Sequence, residues 1–447
     1  MLNRRTLIAA GMALTATQSV ASTRVPRPTR RLNPAIVGVD GMQLRRHGKP
    51  YRFVGANIWY AAWLGSAAAP GGRARLTREL DRLQALGVRN LRILGSAELS
   101  PLKNSITPAF RDKGAVYDEA LLTGLDWTLA EMAKRDMTAV IYLTNFWEWS
   151  GGMMTYLYWV NGGRFINMND PAHPWPEFPD RNAAFYTNAA AQTLYRNYIR
   201  AVVSRTNTVT GQPYATDPTI MAWQLANEPR PGGSDAVAVP NLPAFYHWID
   251  GTARYIKTLD ANHLVCTGSE GLKGSIERED VVLDAHRSSA IDYVTTHIWP
   301  NNWSWMKAGD LAGTYDGGAA KVADYIASHV RLARRLEKPL VIEEFGYPRD
   351  GADAFAPSIG TTYKDRFYSQ IYNAIEADVA AGGPLAGSNF WAWNGEARSQ
   401  HADHRFQRGD LAYMGDPPHE PQGWYGVFDS DTGTQAAIRT HVGRLNV

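Results

Sequence analysis

The feature that most constrains this fold is a regular alternation of strand-like and helix-like segments from about residue 37 onward. Because each intervening helix returns the chain to the same end of a sheet, such strands run parallel. Eight repeats of this unit predict an α/β fold, a (β/α)8 TIM barrel with long loops at its C-terminal face. An open doubly wound sheet is the alternative, although the sequence lacks the glycine-rich nucleotide-binding turn that often marks it. The strands are expected to begin near Tyr51, Val88, Met137, Ile220, His263, Ile291, Pro339 and Leu385.

The segments between the strands show the periodicity of amphipathic helices. Leucine recurs every three or four residues at positions 76, 80, 83 and 86. Apolar residues recur every four positions at 367, 371, 375 and 379, just before a Gly-Gly pair at 382–383. This spacing gathers the apolar side chains on one face of each helix, and we expect that face to pack against the barrel.

The composition narrows the choice of partners. The 447 residues include 46 basic and 43 acidic side chains, which gives a formal net charge of +3. A charge so small and so evenly spread argues against nucleic acid and against an anionic membrane surface as partners. The chain has one cysteine, Cys266, so an internal disulfide is impossible and stability must come from packing. We expect Cys266 to be a buried packing residue in a strand. The protein is also expected to be a monomer.

The N-terminal segment has the features of an export signal. Arg4 and Arg5 precede a short apolar stretch, and Ser19-Val20-Ala21 offers small residues where a signal peptidase could cut. The apolar stretch is shorter than the roughly 20 residues that a membrane span needs. We therefore expect a signal peptide over residues 1–21, a linker over 22–34 and a single barrel domain over 35–447. The paired arginines indicate the twin-arginine route, with an ordinary secretion signal as the alternative, and either route makes the protein secreted or periplasmic.

Acidic residues end two of the predicted strands. In the fourth strand, Glu228 shares its parity with Ala222 and Gln224, which places it at the barrel mouth if that parity faces inward. The seventh strand ends in Glu343-Glu344, and strict alternation allows only one of these two to face the mouth. A pair of carboxyl groups across the mouth is what glycosidic bond cleavage needs, one as a proton donor and one as a carboxylate. Taken singly, such acids could instead be helix caps or ion-pair residues.

Tryptophan is unusually abundant, and its placement favours a carbohydrate cleft. Most of the 15 tryptophans fall at predicted strand ends or in the loops that follow. Indole rings pack against the C–H faces of sugars, whereas tryptophans of a plain core would be scattered over helix faces. Trp127, Trp223 and Trp248 fit helices or the barrel wall and are expected in the core. The candidates for the cleft are Trp59, Trp63, Trp147, Trp149, Trp159, Trp299, Trp303, Trp305, Trp391 and Trp393.

The motifs around these acids resemble glycoside hydrolase family 5, and most closely its endo-β-1,4-mannanase branch, subfamily 7. Residues 223–230 read WQLANEPR and residues 342–346 read IEEFG, and the similarity extends from about Gly55 to Phe428. The resemblance implies that Glu228 is the acid/base. It also implies that Glu344, which directly precedes the aromatic-Gly pair, is the nucleophile.

The same resemblance assigns substrate-binding and supporting roles. Arg92 would keep the nucleophile ionised, Asn227 would bind the sugar 2-hydroxyl, and Arg230 would serve a leaving-group subsite. His297 matches the strand-six histidine and Trp391 the tryptophan floor of the cleavage subsite. The loop 145–152 (NFWEWSGG) and the turn 268–271 (GSEG) also resemble the mannanase branch. Further substrate contacts are expected from Trp59, Trp147 and Trp159.

One position departs from the family pattern. Two residues after His297 the family usually has a tyrosine whose hydroxyl contacts the nucleophile, whereas this chain has Trp299. An indole N–H can donate a hydrogen bond but has no acceptor and no acidic proton. This difference bears on how the nucleophile is tuned and not on which residue it is. Trp299 is still expected to line the substrate site.

Together these observations predict a secreted, retaining endo-β-1,4-mannanase that acts on β-mannan or a related plant polysaccharide without metal or cofactor. The two carboxyl groups should lie about 5–5.5 Å apart. The pKa of Glu228 is expected above its ordinary value and that of Glu344 below it. The alternatives are an endo-β-1,4-glucanase or another β-glycosidase of the family, and a non-catalytic carbohydrate-binding barrel. The histidines and aspartate of the loop at 401–404, with His419, are expected to be solvated and not metal ligands.

Overall fold

In the computed structural model, which describes residues 33–114 and 116–445, eight parallel strands form a nearly closed barrel. This confirms the predicted fold class. Ile220 and Leu385 begin strands as expected, and the largest displacement is at the sixth strand, which begins at Val294 instead of Ile291. The predicted signal peptide and residues 22–32 of the predicted linker lie outside the described residues and stay predictions.

The strands form three sheets within the described residues. A small antiparallel sheet contains β1 (Gly38–Asp40), β2 (Gln43–Arg46) and β3 (Lys49–Pro50). The barrel strands are β4 (Phe53–Asn57), β5 (Asn90–Leu94), β6 (Thr138–Tyr142), β7 (Ile220–Gln224), β8 (Leu264–Cys266), β9 (Val294–Ile298), β10 (Leu340–Phe345) and β11 (Leu385–Phe390). A last pair joins β12 (Trp393–Gly395) to β13 (Val427–Phe428).

The helices surround the barrel in the order of the chain. The helices Gly72–Ala85 and Thr362–Ala380 bury most of the apolar stripes that the periodicity predicts. In the first of them, Leu76, Leu80 and Leu83 are inaccessible to solvent. The α-helices of the described residues are α1 (Ala61–Gly65), α2 (Gly72–Ala85), α3 (Glu119–Ala133), α4 (Gly152–Val160), α5 (Glu177–Asn182), α6 (Ala189–Val203), α7 (Asp235–Leu259), α8 (Glu279–His286), α9 (Leu311–Leu336), α10 (Thr362–Ala380) and α11 (Thr432–Leu445). Short 3-10 turns occupy Glu148–Ser150, Ala183–Thr187, Tyr214–Thr216, Lys273–Ser275 and Ala308–Asp310. None of the helices in the described ranges is both long and apolar enough to span a bilayer.

Backbone hydrogen bonds bridge the gap between β8 and β9, the two end strands of the barrel sheet. There the backbone N–H of Asp292 donates to Val265 at 2.8 Å and that of His297 donates to Glu270 at 3.2 Å. These bonds continue beyond the end of β8 and bring the turn at 268–271 against β9. The seam therefore fixes the loop that carries Glu270 close to the barrel mouth.

The interior of the barrel is apolar at the N-terminal end and polar towards the mouth. Val37, just before β1, and Leu44 of β2 pack with Phe53, Val140 and Val341, and so close the N-terminal end with a hydrophobic plug. Above this plug the inward side chains become amides, an arginine and carboxylates. Such groups are costly to bury unless each finds a partner, so this layer has to be a connected network.

Two β-bulges change which side chains face inward, and they correct two expectations from strict alternation. In β7 the pairing steps from Ala139–Ile220 to Val140–Ala222, so Met221 is the extra residue. Its sulfur lies 3.4 Å from the Asn90 amide inside the barrel, although strict alternation with Ala222 facing inward would turn it towards the helices. A bulged residue is displaced from the regular pleat, and this displacement turns its side chain inward.

The second bulge lies in β10. Ile342 pairs with Thr296 and Glu344 with His297, which leaves Glu343 as the extra residue. Both glutamates are consequently buried inside the barrel, so the expectation from strict alternation that they face opposite ways does not hold.

Replacing Gly55 with alanine should destabilise the barrel. A Cβ at this position would lie 2.1 Å from the Asn389 side-chain nitrogen and 2.8 Å from the Asn90 carbonyl oxygen. Overpacking of this kind costs about 1–3 kcal/mol, which a denaturant-unfolding experiment would measure. Gly443→Ala in α11 is the control, because no heavy atom lies within 4 Å of its Cβ position. Equal stability of the two variants would contradict the close packing at Gly55.

Candidate active site

Glu228 and Glu344 converge at the barrel mouth. Glu228 follows β7 with a left-handed backbone (φ 50°), and its N–H donates to the Gly268 carbonyl at 2.9 Å. Glu344 belongs to β10 and is 2% exposed. One carboxylate oxygen of each glutamate and a ring nitrogen of His297 lie within 4.8 Å of one another. Two carboxyl groups from distant parts of the chain therefore share one small site.

Arg92 is the centre of the hydrogen-bond network below these acids. It is completely buried, and its Nη1 donates to Glu344 Oε1 in an ion pair. The remaining donors reach neutral oxygens: Nε reaches Gln224 at 2.9 Å, Nη1 reaches Asn57 at 3.1 Å and Nη2 reaches Asn227 at 2.7 Å. A guanidinium has a rigid fork of donors, so these contacts fix both the arginine and the Glu344 carboxylate.

Asn227 is held from two sides. Its Oδ1 accepts from Arg92, and its Nδ2 donates to Asn145 Oδ1 at 3.1 Å. Because oxygen and nitrogen thus have defined partners, the amide orientation is set by the protein. The residue directly before the predicted acid/base is therefore a rigid part of the site.

Glu228 contacts one side chain from β9 and one from the loop after β6. His297 Nδ1 lies 2.6 Å from Glu228 Oε1, and the Trp147 indole N–H donates to Oε2. Burial holds the pKa of His297 well below its ordinary value, and the positive charges of Arg92 and Arg230 add to this effect. The imidazole is therefore neutral and orients Glu228 without adding charge.

Trp299 occupies the position where the family pattern has tyrosine, and it still contacts the nucleophile. Its indole N–H donates to Glu344 Oε2 at 3.2 Å. The ring reaches this position beside Gly346, where a Cβ would lie 2.6 Å from the indole Cζ3. The glycine after Phe345 is thus needed for the close approach of the tryptophan.

Burial sets the direction of both carboxyl pKa values. Burial raises the pKa of Glu228 and that of Glu344, and the charge of Glu228 raises the pKa of Glu344 further. The charge of Arg92 opposes the rise at Glu344, but burial outweighs it. The expectation that the pKa of Glu344 lies below its ordinary value is therefore wrong for this buried site.

Glu343 is a third acid inside the barrel, and strand alternation could not show that it faces inward. It accepts from the Tyr293 hydroxyl at 3.0 Å and from the Gln224 amide, and Cys266 Sγ lies 3.7 Å away. Arg92 Nε lies 3.8 Å from it, so the one guanidinium faces two carboxylates. Glu343 supports the network from below, and Cys266 is buried as predicted.

Arg230 forms a buried ion pair next to the predicted acid/base. Its Nε and Nη2 donate to the two oxygens of Glu270 at 2.6 and 2.8 Å. Its guanidinium also lies over the Trp147 ring, 4.9 Å from the ring centroid. Glu270 comes from the turn at 268–271, so this pair joins the loops after β7 and β8.

The tryptophans expected to bind substrate have two different roles: some line the site, and others hold the residues that line it. Trp391 packs edge-on against Trp299 at 5.9 Å and its ring nitrogen finds no partner among the described residues. Trp59 is 1% exposed, donates to the Gly415 carbonyl at 2.9 Å and packs edge-on against Trp149, which contacts Trp391. Trp59 therefore supports the site from behind.

Trp159 also lies away from the two carboxylates. Its ring in α4 packs against Tyr156 and against the guanidinium of Arg111, 5.1 Å from the ring centroid. The rings of Tyr117 and Tyr198 complete the enclosure of this arginine. The structure thus assigns Trp159 to packing around Arg111 and not to a substrate surface.

Several buried polar atoms around the carboxylates have no hydrogen-bond partner within the described ranges. They include His297 Nε2, the Tyr142 hydroxyl, Trp391 Nε1 and Glu420 Oε2. Glu420 comes from the long loop after β12, and burial together with the charges of Asp416 and Glu228 raises its pKa well above the ordinary value. Buried polar atoms normally find partners, so a ligand rich in hydroxyl groups would suit this site. No periodicity or motif in the sequence points to Glu420.

Comparison with known proteins identifies the family of the chain. Residues 35–446 match the family described as GH family 5 beta-mannosidase-like. The chain belongs to glycoside hydrolase family 5. It is 30% identical to mannan endo-1,4-beta-mannosidase 3 of Oryza sativa subsp. japonica over 80% of this chain and 72% of that protein. It is 28% identical to mannan endo-1,4-beta-mannosidase 1 of Arabidopsis thaliana over 79% of this chain and 81% of that protein.

Solved structures of family 5 give the same picture for this glycoside hydrolase. A family 5 mannosidase from Rhizomucor miehei superposes with a TM-score of 0.83 at 33% identity, covering 92% of this chain and 98% of that one. An endo-1,4-beta-mannanase from the same organism has a TM-score of 0.65 at 22% identity, covering 92% and 100%. The second comparison supports the fold alone.

Some acidic and histidine side chains of this family 5 enzyme outside the carboxylate pair have structural partners. His401 lies 3.0 Å from the carboxylate of Asp410, in a loop contact. Glu396 pairs with Arg78 and Arg82 of α2, on the outside of the barrel. Within the described ranges, the groups close enough to share a cation are Glu228, His297 and Glu344, and Arg92 already supplies the positive charge there.

Replacing Trp299 with phenylalanine should move the acid limb of the pH profile of kcat/KM to higher pH. The change removes a hydrogen bond to the Glu344 carboxylate, which destabilises its ionised form and raises its pKa further. Trp299→Tyr restores a donor and should return the limb towards that of the parent. An acid limb that stays in place in Trp299→Phe would show that the indole does not tune Glu344.

Proposed function

We propose that this glycoside hydrolase is a retaining endo-β-1,4-mannanase that cleaves internal β-1,4-mannosidic bonds by double displacement. The observation that carries the mechanism is the approach of the Glu228 and Glu344 oxygens to within 4.8 Å. Retaining enzymes hold their two carboxyl groups about 5–5.5 Å apart, whereas inverting enzymes need about 6.5–9.5 Å to admit a water between carboxylate and sugar. The short separation favours a covalent sugar intermediate.

In the first step Glu344 attacks the anomeric carbon while the glycosidic C–O bond breaks. The proton of Glu228 passes to the leaving oxygen, so the departing sugar leaves as a neutral alcohol. Arg92 and Trp299 hold the two Glu344 oxygens by their N–H groups, which aims the carboxylate at the carbon. The product of this step is a mannosyl ester of Glu344.

In the second step Glu228, now a carboxylate, takes a proton from water. The water oxygen forms a bond to the anomeric carbon, and the ester bond to Glu344 breaks. Glu228 regains its proton and Glu344 its charge, so the enzyme returns to its starting state. Two inversions at one carbon give net retention of configuration.

The resting enzyme needs one proton on this pair of carboxyl groups. Two buried carboxylates at this separation repel, so the pair holds one proton over a range of pH. We place that proton on Glu228, because Arg92 forms its ion pair with Glu344. This assignment gives each carboxyl the state that its role in the first step requires.

The relatives support mannan as the substrate. Those from Oryza sativa and Arabidopsis thaliana carry the name mannan endo-1,4-beta-mannosidase. A second candidate is hydrolysis of short β-mannosides, which is favoured by the likeness to the Rhizomucor miehei mannosidase. A variant of that protein has been solved with mannosyl-fructose, and it resembles this chain more than the endo-mannanase of the same organism does. An endo-β-1,4-glucanase would use the same carboxylate pair but has no such support.

A polysaccharide panel with sized products separates these candidates. An endo-mannanase should release a ladder of manno-oligosaccharides from galactomannan early in the reaction, whereas an enzyme for short mannosides should release mannose one unit at a time. Carboxymethylcellulose is the control for glucanase activity. Faster release of reducing sugar from carboxymethylcellulose than from galactomannan would reject the proposed substrate.

Glu344→Ala should lower kcat on galactomannan by at least about a thousandfold, because the attacking carboxylate is lost. Glu228→Ala should retain the first step on an aryl β-mannoside, whose leaving group needs no proton, and should be slow in the second. Burst kinetics on the aryl substrate measure this difference. Circular dichroism would establish that both variants fold, and near-normal turnover by Glu344→Ala would overturn the assignment.

We propose further that the protein is exported, through the paired arginines at positions 4 and 5, and that it works as a monomer. Export by the twin-arginine route requires that pair, so Arg4→Lys/Arg5→Lys should retain the protein in the cytoplasm. Fractionation of cells that express the full chain measures this. Normal export of the double variant would point to an ordinary secretion signal instead.

A further inference from the structure

Trp175 differs from the other tryptophans of the described residues because most of its surface is accessible. It is 61% exposed, whereas the remaining tryptophans of those ranges are buried or half-buried. It lies in the segment between α4 and α5. Exposing an indole to water is unfavourable, so a large exposed aromatic face next to an active site needs an explanation.

Trp175 is continuous with the active site through one neighbouring ring. Its ring stacks beside that of Trp147 with centroids 6.3 Å apart and planes inclined by 28°. The Arg230 guanidinium lies over both rings, 4.9 Å from the centroid of Trp147 and 5.8 Å from that of Trp175. Trp147 in turn donates to Glu228. We call this line of two rings the Trp147–Trp175 row.

The Trp147–Trp175 row begins next to Glu228, the proposed acid/base, and its position there determines which end of the substrate the row faces. Glu228 gives its proton to the oxygen that joins the cleaved sugar to the leaving part of the chain. Groups next to Glu228 therefore lie on the leaving-group side, and a ring further out along the row meets a sugar further from the cleaved bond.

A cavity of about 250 Å³ opens beside Trp175. Its wall combines apolar surfaces with polar groups, which suits a sugar ring that has a C–H face and hydroxyl groups around its edge. The lining includes Met168, Asn169, Asp170, His173, Trp175 and Phe178.

The segment that carries Trp175 is firmly anchored on both sides. Before it, the Met168 N–H donates to buried Glu148 at 2.7 Å. After it, Asp180 accepts from the N–H groups of Gly233 and Ser234, each at 2.8 Å. Trp175 is therefore held in place before substrate arrives, which lowers the entropy cost of binding.

We propose that Trp175 and the adjacent cavity form an outer leaving-group subsite that binds a mannosyl unit of the substrate beyond the one next to the cleaved bond. This subsite rests on the proposed function, since its ligand is the same mannan chain. The exposed indole packs against the sugar C–H face, and the polar groups of the cavity wall receive its hydroxyl groups. The subsite favours long substrates over short ones.

The test compares substrates that reach the subsite with one that does not. Trp175→Ala should lower kcat/KM for mannohexaose about tenfold relative to kcat/KM for 4-nitrophenyl β-mannoside, because a stacking contact of this kind is worth roughly one factor of ten. Most of the loss should appear in KM. Trp175→Phe keeps an aromatic face and should recover much of the difference.

Phe165→Ala is the matched control, because Phe165 is also an exposed aromatic residue of the same segment and packs on Tyr158 outside the row. It should not change the ratio of the two kcat/KM values. An unchanged ratio in Trp175→Ala, with the parent active on both substrates, would overturn the subsite and leave the proposed function intact. A parent enzyme inactive on both substrates would instead overturn the proposed function.

Discussion

The structure depends on a buried guanidinium that faces two carboxylates. Arg92 contacts Glu344 directly and lies 3.8 Å from Glu343, while its other donors reach neutral oxygens. Burying a charge is unfavourable unless charges of opposite sign and hydrogen bonds compensate it, and breaking such a network leaves a charge unpaired. The site is therefore rigid, because no side chain of this network can move without leaving a buried charge or polar group without its partner. That rigidity fixes the Glu344 carboxylate before any substrate binds.

Two departures from regular strand geometry make this network possible. The bulge in β10 turns Glu343 inward beneath Glu344, and a left-handed backbone at Glu228 sets that carboxyl after the end of β7. Non-glycine residues seldom adopt this conformation, and such strain is tolerated where surrounding contacts fix it. Here the Gly268 carbonyl and His297 hold Glu228 in place. The regular strands of the barrel carry the site, and these two irregularities set the positions of its carboxyl groups.

Sequence periodicity was sufficient to predict the strands and helices of the barrel, but it could not predict these irregularities. The stripe at Leu76, Leu80 and Leu83 and the eight strand-like runs follow from spacing alone, because burial of one face imposes a period. A bulge inserts one residue without any local signal, so Met221 and Glu343 could not be placed by counting. Motif similarity found Glu228 and Glu344 but gave no account of their burial. Whether the pKa of a carboxyl group is raised or lowered depends on how deeply the group is buried, and the sequence does not show this.

The abundance of tryptophan has two physical explanations in this molecule. Trp59 uses its ring nitrogen to hold the Gly415 carbonyl, and the next residue, Asp416, accepts from the N–H groups of Gly423 and Tyr425 at 2.8 and 2.7 Å. The loop held in this way carries Glu420, a buried carboxyl group whose pKa is raised in part by the charge of Glu228. A buried tryptophan therefore acts on the chemistry by fixing a loop, whereas an exposed one such as Trp175 can act only by contact. Position at a strand end does not distinguish the two cases, but the partner of the ring nitrogen and the exposed area of the ring do.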